Sequence, residues 1–282
     1  MKFNLGCQLS YQVDSWSTFI FNLRVVETNY QKLLNELLEI SPDIEIDEYY
    51  SPFSENRYFR LNVPANTHLQ LSYWAKVEMS HYYGDPGTIA EVAPADLPVE
   101  MLHYLYPSRY CQSDRLLRLA DSEFGHLEPG YSRVTAICNW IYEKVIYLYG
   151  SSNPHTSAYD TATERQGVCR DFAHLGIAFC RALNIPARFV SAYAYGLEPP
   201  DFHACFEAYL GDRWYLFDAT RRAPQNGLIR IGTGQDASDV SLATIFGAVQ
   251  MQEMKVFVEY LPASTATSDE IPQLTTKAIA IS

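Results

Sequence analysis

The first third of the chain consists of short stretches that are apolar or alternate between apolar and polar positions. They are rich in Tyr, Phe, Leu and Val and cover residues 7–13, 17–26, 58–63 and 69–74. A period of two with this composition predicts antiparallel strands that bury one face. Several such strands in succession predict a β-sandwich at the N-terminal end of the chain.

One segment within this strand-rich region has a different period. Residues 29–40 place Leu33, Leu34, Leu37 and Leu38 three and four positions apart. That spacing is typical of one face of a helix, so we expect a helix between the strands.

Residues 84–98 separate two parts of the chain. This stretch holds three prolines and two glycines with small and acidic residues between them, which is the composition of a linker. We therefore predict an N-terminal β-sandwich domain over residues 1–95 and a second domain over residues 96–262. Residues 263–282 are rich in Ala, Ser and Thr, and we expect this tail to be poorly ordered.

The second domain begins with helical patterns. Apolar residues recur on one stripe over residues 113–124 and again over residues 132–148. A third pattern, over residues 172–183, predicts a buried helix that begins close to Cys169 and stops before Pro186. A thiol on the first turn lies near the positive end of the helix dipole and near unpaired backbone N–H groups, which favour the thiolate. Cys169 is therefore placed to be a nucleophile.

A β-hairpin follows and supplies two further chemical groups. Residues 201–210 alternate and put His203 on the face opposite to the core. A Gly-Asp turn then leads into a return strand, which pairs Leu210 with Arg213. In this register Asp218 lies one diagonal from His203, within reach of its ring. We predict that His203 is the general base and that Asp218 orients its imidazole.

Composition and charge limit the partners. The 282 residues carry 21 Lys and Arg against 33 Asp and Glu, a net charge of −12 without a basic run, so nucleic acid or an anionic membrane would be repelled. The N-terminus lacks the apolar stretch of a secretory signal, and no apolar run approaches the length of a membrane span. The six cysteines include no CxxC, so we expect a cytoplasmic protein with free thiols. The expected partner is a peptide or protein substrate.

These segments resemble the core of the transglutaminase-like superfamily, in its bacterial form with an N-terminal β-sandwich. The residues that carry the resemblance are 167–175, 185–191, 202–204 and 214–220. The order Cys169, His203, Asp218 and the gaps of 34 and 15 residues match the family core. The resemblance implies an α+β fold with a papain-like core, in which a helix bearing the Cys packs on an antiparallel sheet bearing the His and the Asp. It also implies acyl transfer through a Cys thioester.

Two positions depart from the family pattern. The Asp-Pro pair expected after the hairpin is Asp218-Ala219 here, and Cys205 stands where the family has a Trp two residues after the His. Neither change touches the three candidate catalytic residues, but Cys205 leaves open what forms that wall of the acyl groove.

The activity that the resemblance implies is that of a cysteine peptidase or amidase acting on peptide or glutamine carboxamide groups. Amine transfer, as by a protein-glutamine γ-glutamyltransferase, and a non-catalytic peptide-binding module are the alternatives. Hydrolysis comes first, because most bacterial relatives resemble cysteine peptidases or are uncharacterised. The oxyanion would be stabilised by the backbone N–H of Cys169 and by a second donor, which the sequence leaves open among Tyr147, Tyr159 and Gln166.

A metal site is the competing chemistry. Its candidate ligands are Cys169, His174, Cys180, His203 and Cys205. Zinc sites favour close pairs such as CxxC, and His174 lies about 140° around the helix from Cys169, which argues against a shared ion. We therefore expect no metal and no other cofactor. We also expect His174 to have a helix-packing role. Glu207 is expected to be solvated on the polar face of its strand, with a contact to substrate or a pair with an arginine as the alternatives.

Overall fold

Sheets and helices are mixed along the chain, and the computed structural model describes them over residues 1–52, 54–262 and 271–281. The strands are β1 (Lys2–Val13), β2 (Ser17–Phe21), β3 (Gln31–Ser41), β4 (Asp47–Tyr50), β5 (Arg57–Val63), β6 (Thr67–Met79), β7 (Tyr82–Gly84), β8 (Ile146–Tyr147), β9 (Gln166–Gly167), β10 (Ala187–Ala194), β11 (Phe202–Leu210), β12 (Arg213–Phe217), β13 (Leu228–Gly234), β14 (Ala243–Phe246), β15 (Val249–Leu261) and β16 (Ala278–Ala280). The α-helices are α1 (Ser113–Phe124), α2 (Tyr131–Lys144), α3 (Ala158–Glu164) and α4 (Cys169–Ala182). The predicted α+β fold class is confirmed.

Two four-stranded sheets form the predicted N-terminal β-sandwich. One has the strand order β15-β1-β6-β3 and the other has the order β14-β2-β5-β4. Their inner faces share one core, in which the Tyr11 ring of the first sheet lies 5.3 Å from the Phe19 ring of the second. Alternating burial along β5 and β6 follows the period of two in the sequence.

The helix expected at residues 29–40 is wrong, because this segment forms strand β3 and pairs with β6. A β-bulge just after Leu33 shifts the register by one residue. Leu33 and Leu38 pack against the core on either side of the bulge, whereas Leu34 and Leu37 are exposed. The extra residue gives the leucines a spacing that imitates a helix.

The chain returns to the sandwich after the second domain. β15 pairs with β1 along its length, and β14 pairs with β2. These pairings place residues 243–261 in the sheets of the N-terminal domain, which differs from the predicted second-domain range of 96–262. The predicted division near residue 95 stays a prediction.

Part of the predicted poorly ordered tail is a buried strand. β16 pairs with β7, and residues 278–281 are fully buried. Burial of two isoleucines in this short stretch accounts for its order, since apolar area removed from water offsets the loss of chain entropy. Residues 263–270 and 282 of the same prediction lie outside the described residues.

The third sheet, with the order β12-β11-β10-β13, carries the hairpin and is covered on both faces. Helix α4 packs on one face, and a Cβ at Gly176 would lie only 2.5 Å from the Phe206 ring, so glycine allows this close approach. Cys205 and Leu216 on the other face belong to the core of the sandwich. The expected arrangement of a Cys-bearing helix on an antiparallel sheet is confirmed.

The helices follow the sequence pattern closely. Helix α1 has the predicted bounds, and α4 begins at Cys169 and ends before Pro186 as expected. Helix α2 ends at Lys144, earlier than predicted, because Ile146–Tyr147 pair in parallel with β9. Among the residues that the structure describes, no helix is long and apolar enough to cross a membrane.

Candidate active site

Cys169 is the first residue of helix α4, and its neighbours fix this start. The Asp171 carboxylate accepts a hydrogen bond of 2.8 Å from the backbone N–H of Val168, which satisfies one unpaired donor of the first turn. Gly167 is required before it, because a Cβ there would lie 2.7 Å from the Asp171 Cβ. The Cys169 side chain is partly exposed at this helix start.

The hairpin has the predicted register. β11 and β12 pair from Leu210 with Arg213 back to Phe206 with Phe217. This register carries Asp218 to His203, where Nε2 and the Asp218 Oδ2 lie 2.8 Å apart. Both side chains are almost fully buried. The structure therefore brings these two predicted site residues into direct contact.

Thr220 is a residue of this site that the sequence reasoning missed. Its backbone N–H and its hydroxyl donate to the Asp218 Oδ1 at 2.8 and 2.7 Å. Asp218 therefore has one oxygen held by Thr220 and the other turned to His203. The signal in the sequence is the Asp-x-Thr spacing, since an Asp side chain often accepts from the N–H two residues on.

His203 and Asp218 form a charged pair. Burial alone would lower the pKa of His203, but the charge and hydrogen bond of Asp218, with a further interaction from the Cys169 thiol, raise it to about 10. Burial alone would raise the pKa of Asp218, but His203 and the Thr220 donors hold it below its usual range. The stabilising contribution of His203 is complete below the ordinary His pKa of about 6.5 and is lost as pH rises through about 10. At neutral pH the site therefore contains a protonated His203 imidazole beside the Cys169 sulfur.

The other ring nitrogen of His203 is available for proton exchange. Nδ1 is buried and meets no nitrogen or oxygen partner among the described residues. Since Nε2 is engaged by Asp218, Nδ1 is the nitrogen left to interact with Cys169.

All six cysteines are free, and Cys169 differs from the others in its surroundings. The five others, Cys7, Cys111, Cys138, Cys180 and Cys205, are buried. Burial raises the pKa of Cys7 to about 11, that of Cys111 to about 12, and the pKa of each of the remaining three well above its ordinary value. These five thiols therefore stay protonated and shielded at neutral pH.

At low iodoacetamide concentration we expect Cys169 to be alkylated before the five buried cysteines, because it combines exposure with a neighbouring imidazolium. Peptide mass mapping after brief treatment measures the order of labelling. In the Cys169→Ser variant the fast labelling should disappear. Faster labelling of Cys180 or Cys205 would contradict the nucleophile assignment.

Glu207 does not lie on a solvated face, so that expectation is wrong. Its side chain is fully buried and forms ion pairs with Arg188, at 2.7 Å, and with Arg230. The sandwich covers this face of β11, and a buried carboxylate requires such partners. Glu207 therefore links strands β10, β11 and β13 within the third sheet and is kept from solvent.

His174 is fully buried within helix α4 and packs as expected. Its ring stacks on Tyr110 at 5.1 Å, and its Nε2 accepts a hydrogen bond of 3.1 Å from the Ala237 N–H. Burial lowers the pKa of His174 to about 3, so the ring is neutral. Over the described residues no group of three or more His, Cys, Asp or Glu side chains is placed to hold a metal ion.

Of the three candidates for a second oxyanion donor, the structure brings Tyr147 to the nucleophile. Its hydroxyl lies against both the backbone and the thiol of Cys169, and burial with the nearby thiol raises the pKa of Tyr147 well above its usual range. The Tyr159 ring is instead covered by the Arg115 guanidinium at 3.5 Å. Gln166 is engaged through its backbone in the short β8-β9 pairing.

A cavity of about 410 Å³ opens beside Cys169 and His203. Its walls come from both domains, with Tyr11 of the sandwich and Ser191 of the third sheet among them, and most of the lining is apolar. Cys205 is buried against the sandwich core and is not part of the lining. The presence of Cys205 in place of the Trp of the family pattern therefore does not alter the wall of this cavity directly.

Comparison with known proteins agrees with this geometry. The profile of the transglutaminase-like superfamily matches residues 118–219, and that of the bacterial transglutaminase N-terminal domain matches residues 1–99. A crystal structure described as "a putative cysteine protease from Cytophaga hutchinsonii" is 47% identical and superposes with a TM-score of 0.94, covering 100% of this chain and 98% of that one. The chain belongs to the transglutaminase-like superfamily.

Curated relatives match over shorter stretches. An uncharacterized protein of Mycobacterium leprae is 31% identical over 136 residues, which are 45% of this chain and 48% of that protein. An uncharacterized protein of Mycobacterium tuberculosis is 31% identical over 107 residues, which are 38% of this chain and 33% of that protein. The chain thus spans a half or less of the length of these relatives.

Proposed function

We propose that the protein is a cysteine hydrolase that cleaves peptide or glutamine carboxamide bonds through a thioester on Cys169. The observation that supports this most strongly is the His203 imidazole, which is held by Asp218 at 2.8 Å through Nε2 and leaves Nδ1 for the thiol. A nucleophile, a base and an orienting carboxylate in this order are the parts that acyl transfer requires.

The proposed reaction uses these groups in two stages. The Cys169 thiol gives its proton to His203 Nδ1, and the resulting thiolate attacks the substrate carbonyl carbon while the π electrons of the carbonyl move to its oxygen. As this intermediate collapses, the C–N bond breaks and His203 gives its Nδ1 proton to the leaving amine. His203 then takes a proton from water, the resulting hydroxide attacks the thioester, and the C–S bond breaks to restore the thiolate.

Hydrolysis and amine transfer differ only in what attacks the thioester. Hydrolysis is preferred here because the Cytophaga hutchinsonii relative, which matches over its whole length, is described as a putative cysteine protease. In a transferase a primary amine would take the place of water. In a binding module the cavity would still hold a peptide, but no bond would break.

The distinguishing experiment incubates the protein with a glutamine-containing peptide, with and without a primary amine, and identifies the products by mass spectrometry. Hydrolysis gives cleaved or deamidated peptide in both samples. A transferase gives a peptide–amine adduct when the amine is present. Absence of any product that depends on Cys169, across a varied peptide set, would contradict the proposed chemistry.

We also propose Tyr147 as the second donor to the oxyanion, beside the backbone N–H of Cys169. Its hydroxyl stays protonated at neutral pH and lies beside the backbone and the thiol of Cys169, so on substrate binding it can donate to an oxygen bonded to the attacked carbon. The ring is held in place by Phe172, at 5.6 Å, and by the Arg222 guanidinium, at 4.5 Å.

Tyr147→Phe should lower kcat by about 10²- to 10³-fold, the usual cost of removing one oxyanion donor, with a smaller change in KM. Tyr149→Phe is the matched control. The Tyr149 ring lies 5.4 Å from the Tyr147 ring, but Tyr149 is exposed. Steady-state kinetics on one peptide measure both variants. Equal kcat values for the two variants would exclude Tyr147 from this role.

A further inference from the structure

Two exposed methionines border the cavity beside Cys169. Met251 is 54% exposed and Met254 is 41% exposed, and both line this cavity. They lie on β15, where Met254 pairs with Leu9 of β1 and Met251 pairs with Tyr11. Residues paired across an antiparallel sheet point to the same face, so both methionines lie on the face that borders the cavity. Exposed apolar side chains gathered at a cavity are typical of a binding site.

The part of the wall that is open to solvent is apolar beyond the two methionines. Ala237, Leu242 and Ala243 also line the cavity and are partly exposed. The Ser241 hydroxyl, at the same wall, already donates to the Ala237 carbonyl at 3.1 Å. Cys169 is partly exposed in the same cavity, so a group that fills it lies next to the nucleophile. The volume of about 410 Å³ is enough for a large side chain with part of its backbone.

The charges at the cavity argue against an ionised occupant. No carboxylate lies among the described residues that line it. Its two cations are already paired, Arg170 with Asp171 and the protonated His203 with Asp218. A Lys or Arg side chain of a substrate would lose its hydration here, meet like charges and find no counterion. A carboxylate would meet only cations that already have an acidic partner. An uncharged apolar group is therefore favoured.

We infer that this cavity is a subsite for a large apolar side chain of the peptide substrate, such as that of leucine, and that Met251 and Met254 cover this side chain from the sandwich. The inference rests on the proposed function, which makes the occupant part of a peptide. Because Cys169 and His203 line the same cavity, the bound side chain belongs to a residue at or next to the attacked carbonyl. Methionine side chains are unbranched and flexible, so this wall can adapt to apolar side chains of different shape.

The test varies one residue of a peptide substrate at a time. Leu, Ala, Glu and Lys are compared by kcat/KM at the residue that supplies the acyl group and at the residues before and after it. At the position that enters the cavity, Leu should exceed Ala by about 10- to 100-fold, since each buried methylene contributes about a factor of four. Glu and Lys should be the poorest. Equal values for Leu and Ala at all three positions, or a preference for Glu or Lys, would overturn the subsite.

The Met254→Glu variant places a carboxylate at the apolar wall. The ratio of kcat/KM for the Lys peptide to that for the Leu peptide should rise by at least about tenfold, because the ammonium gains a counterion and the leucine loses an apolar contact. Gln252→Glu is the matched control, since it makes the same change in charge at an exposed position of β15 that does not line the cavity. It should keep the wild-type ratio. An unchanged ratio in a folded Met254→Glu variant, or an equal rise in both variants, would overturn the role of this wall.

Binding separates the subsite from the chemistry. The same peptides, carrying a fluorescent label, are titrated against the Cys169→Ala variant by fluorescence anisotropy, which needs no turnover. Tighter binding of the Leu than of the Ala peptide, with a shift toward Lys when Met254→Glu is added, supports the subsite even if the wild-type protein cleaves nothing. Cleavage that depends on Cys169 but shows none of these preferences would overturn the subsite and leave the proposed function standing.

Discussion

The Cys169→Ser variant should lose at least about 10⁴-fold in peptide turnover and keep its fold, because removal of a nucleophile eliminates the covalent route. The substitution is nearly isosteric and lies at a partly exposed helix start, so the free energy of unfolding should change by about 0.5 kcal/mol or less. Serine is far less acidic than cysteine, and an imidazolium already paired to Asp218 is a poor base for its hydroxyl. Activity assays beside urea unfolding measure both quantities.

Cys180→Ser is the control on the same helix. Cys180 is fully buried in the apolar core, so a hydroxyl there should lower stability. Activity per folded molecule should stay near the wild-type value. The opposite pattern, an unfolded Cys169→Ser variant with normal activity per folded molecule, would make Cys169 a core residue.

The Asp218→Asn variant should lose up to about 10⁴-fold in kcat/KM, the precedent for a buried carboxylate that orients a catalytic histidine. The amide keeps the shape of the side chain but supplies an N–H where His203 Nε2 now meets an oxygen at 2.8 Å. The neutral His203 ring is then favoured in the tautomer that carries its proton on Nδ1, which cannot accept a proton there. The protonated ring also loses the carboxylate that stabilises its charge.

The Glu207→Gln variant is the comparison for Asp218→Asn, because Glu207 is a buried carboxylate that does not contact His203. Glu207 is buried between Arg188 and Arg230, and removing its charge should cost about 3 kcal/mol of stability or more. Its effect on kcat/KM per folded molecule should be far smaller than that of Asp218→Asn. Kinetics on one peptide, with circular dichroism to count folded molecules, measure both. A larger kinetic loss for Glu207→Gln would mean that the orienting carboxylate is misassigned.

The candidate site could be predicted from sequence because its geometry is local. A two-residue turn fixes the pairing of Leu210 with Arg213, and this register alone brings Asp218 to His203. The apolar period of helix α4 likewise fixes Cys169 at its first turn. Both features depend on residues close together in the chain, so the sequence pattern is enough to predict them.

Most of the predictions that differ from the structure concern contacts between parts of the chain that are distant in sequence. The alternation along β11 shows two faces, but it cannot show that the sandwich covers the face of Glu207. Pairing of β15 with β1 joins residues more than 200 positions apart, and no local pattern reports it. The same limit hides the part that Tyr11 has in the cavity wall. In β3 the error is local, since a bulge gives a strand the spacing of a helix.

Trapping of the acyl-enzyme during turnover shows whether Cys169 carries the acyl group of the substrate. The protein is quenched with acid during steady-state reaction with a peptide substrate, and its mass is measured before and after peptide mapping. We expect an added mass equal to the acyl part of the substrate, located on Cys169 and removed by hydroxylamine. Product formation with the adduct on another residue, or with no adduct under conditions that make deacylation rate-limiting, would contradict it.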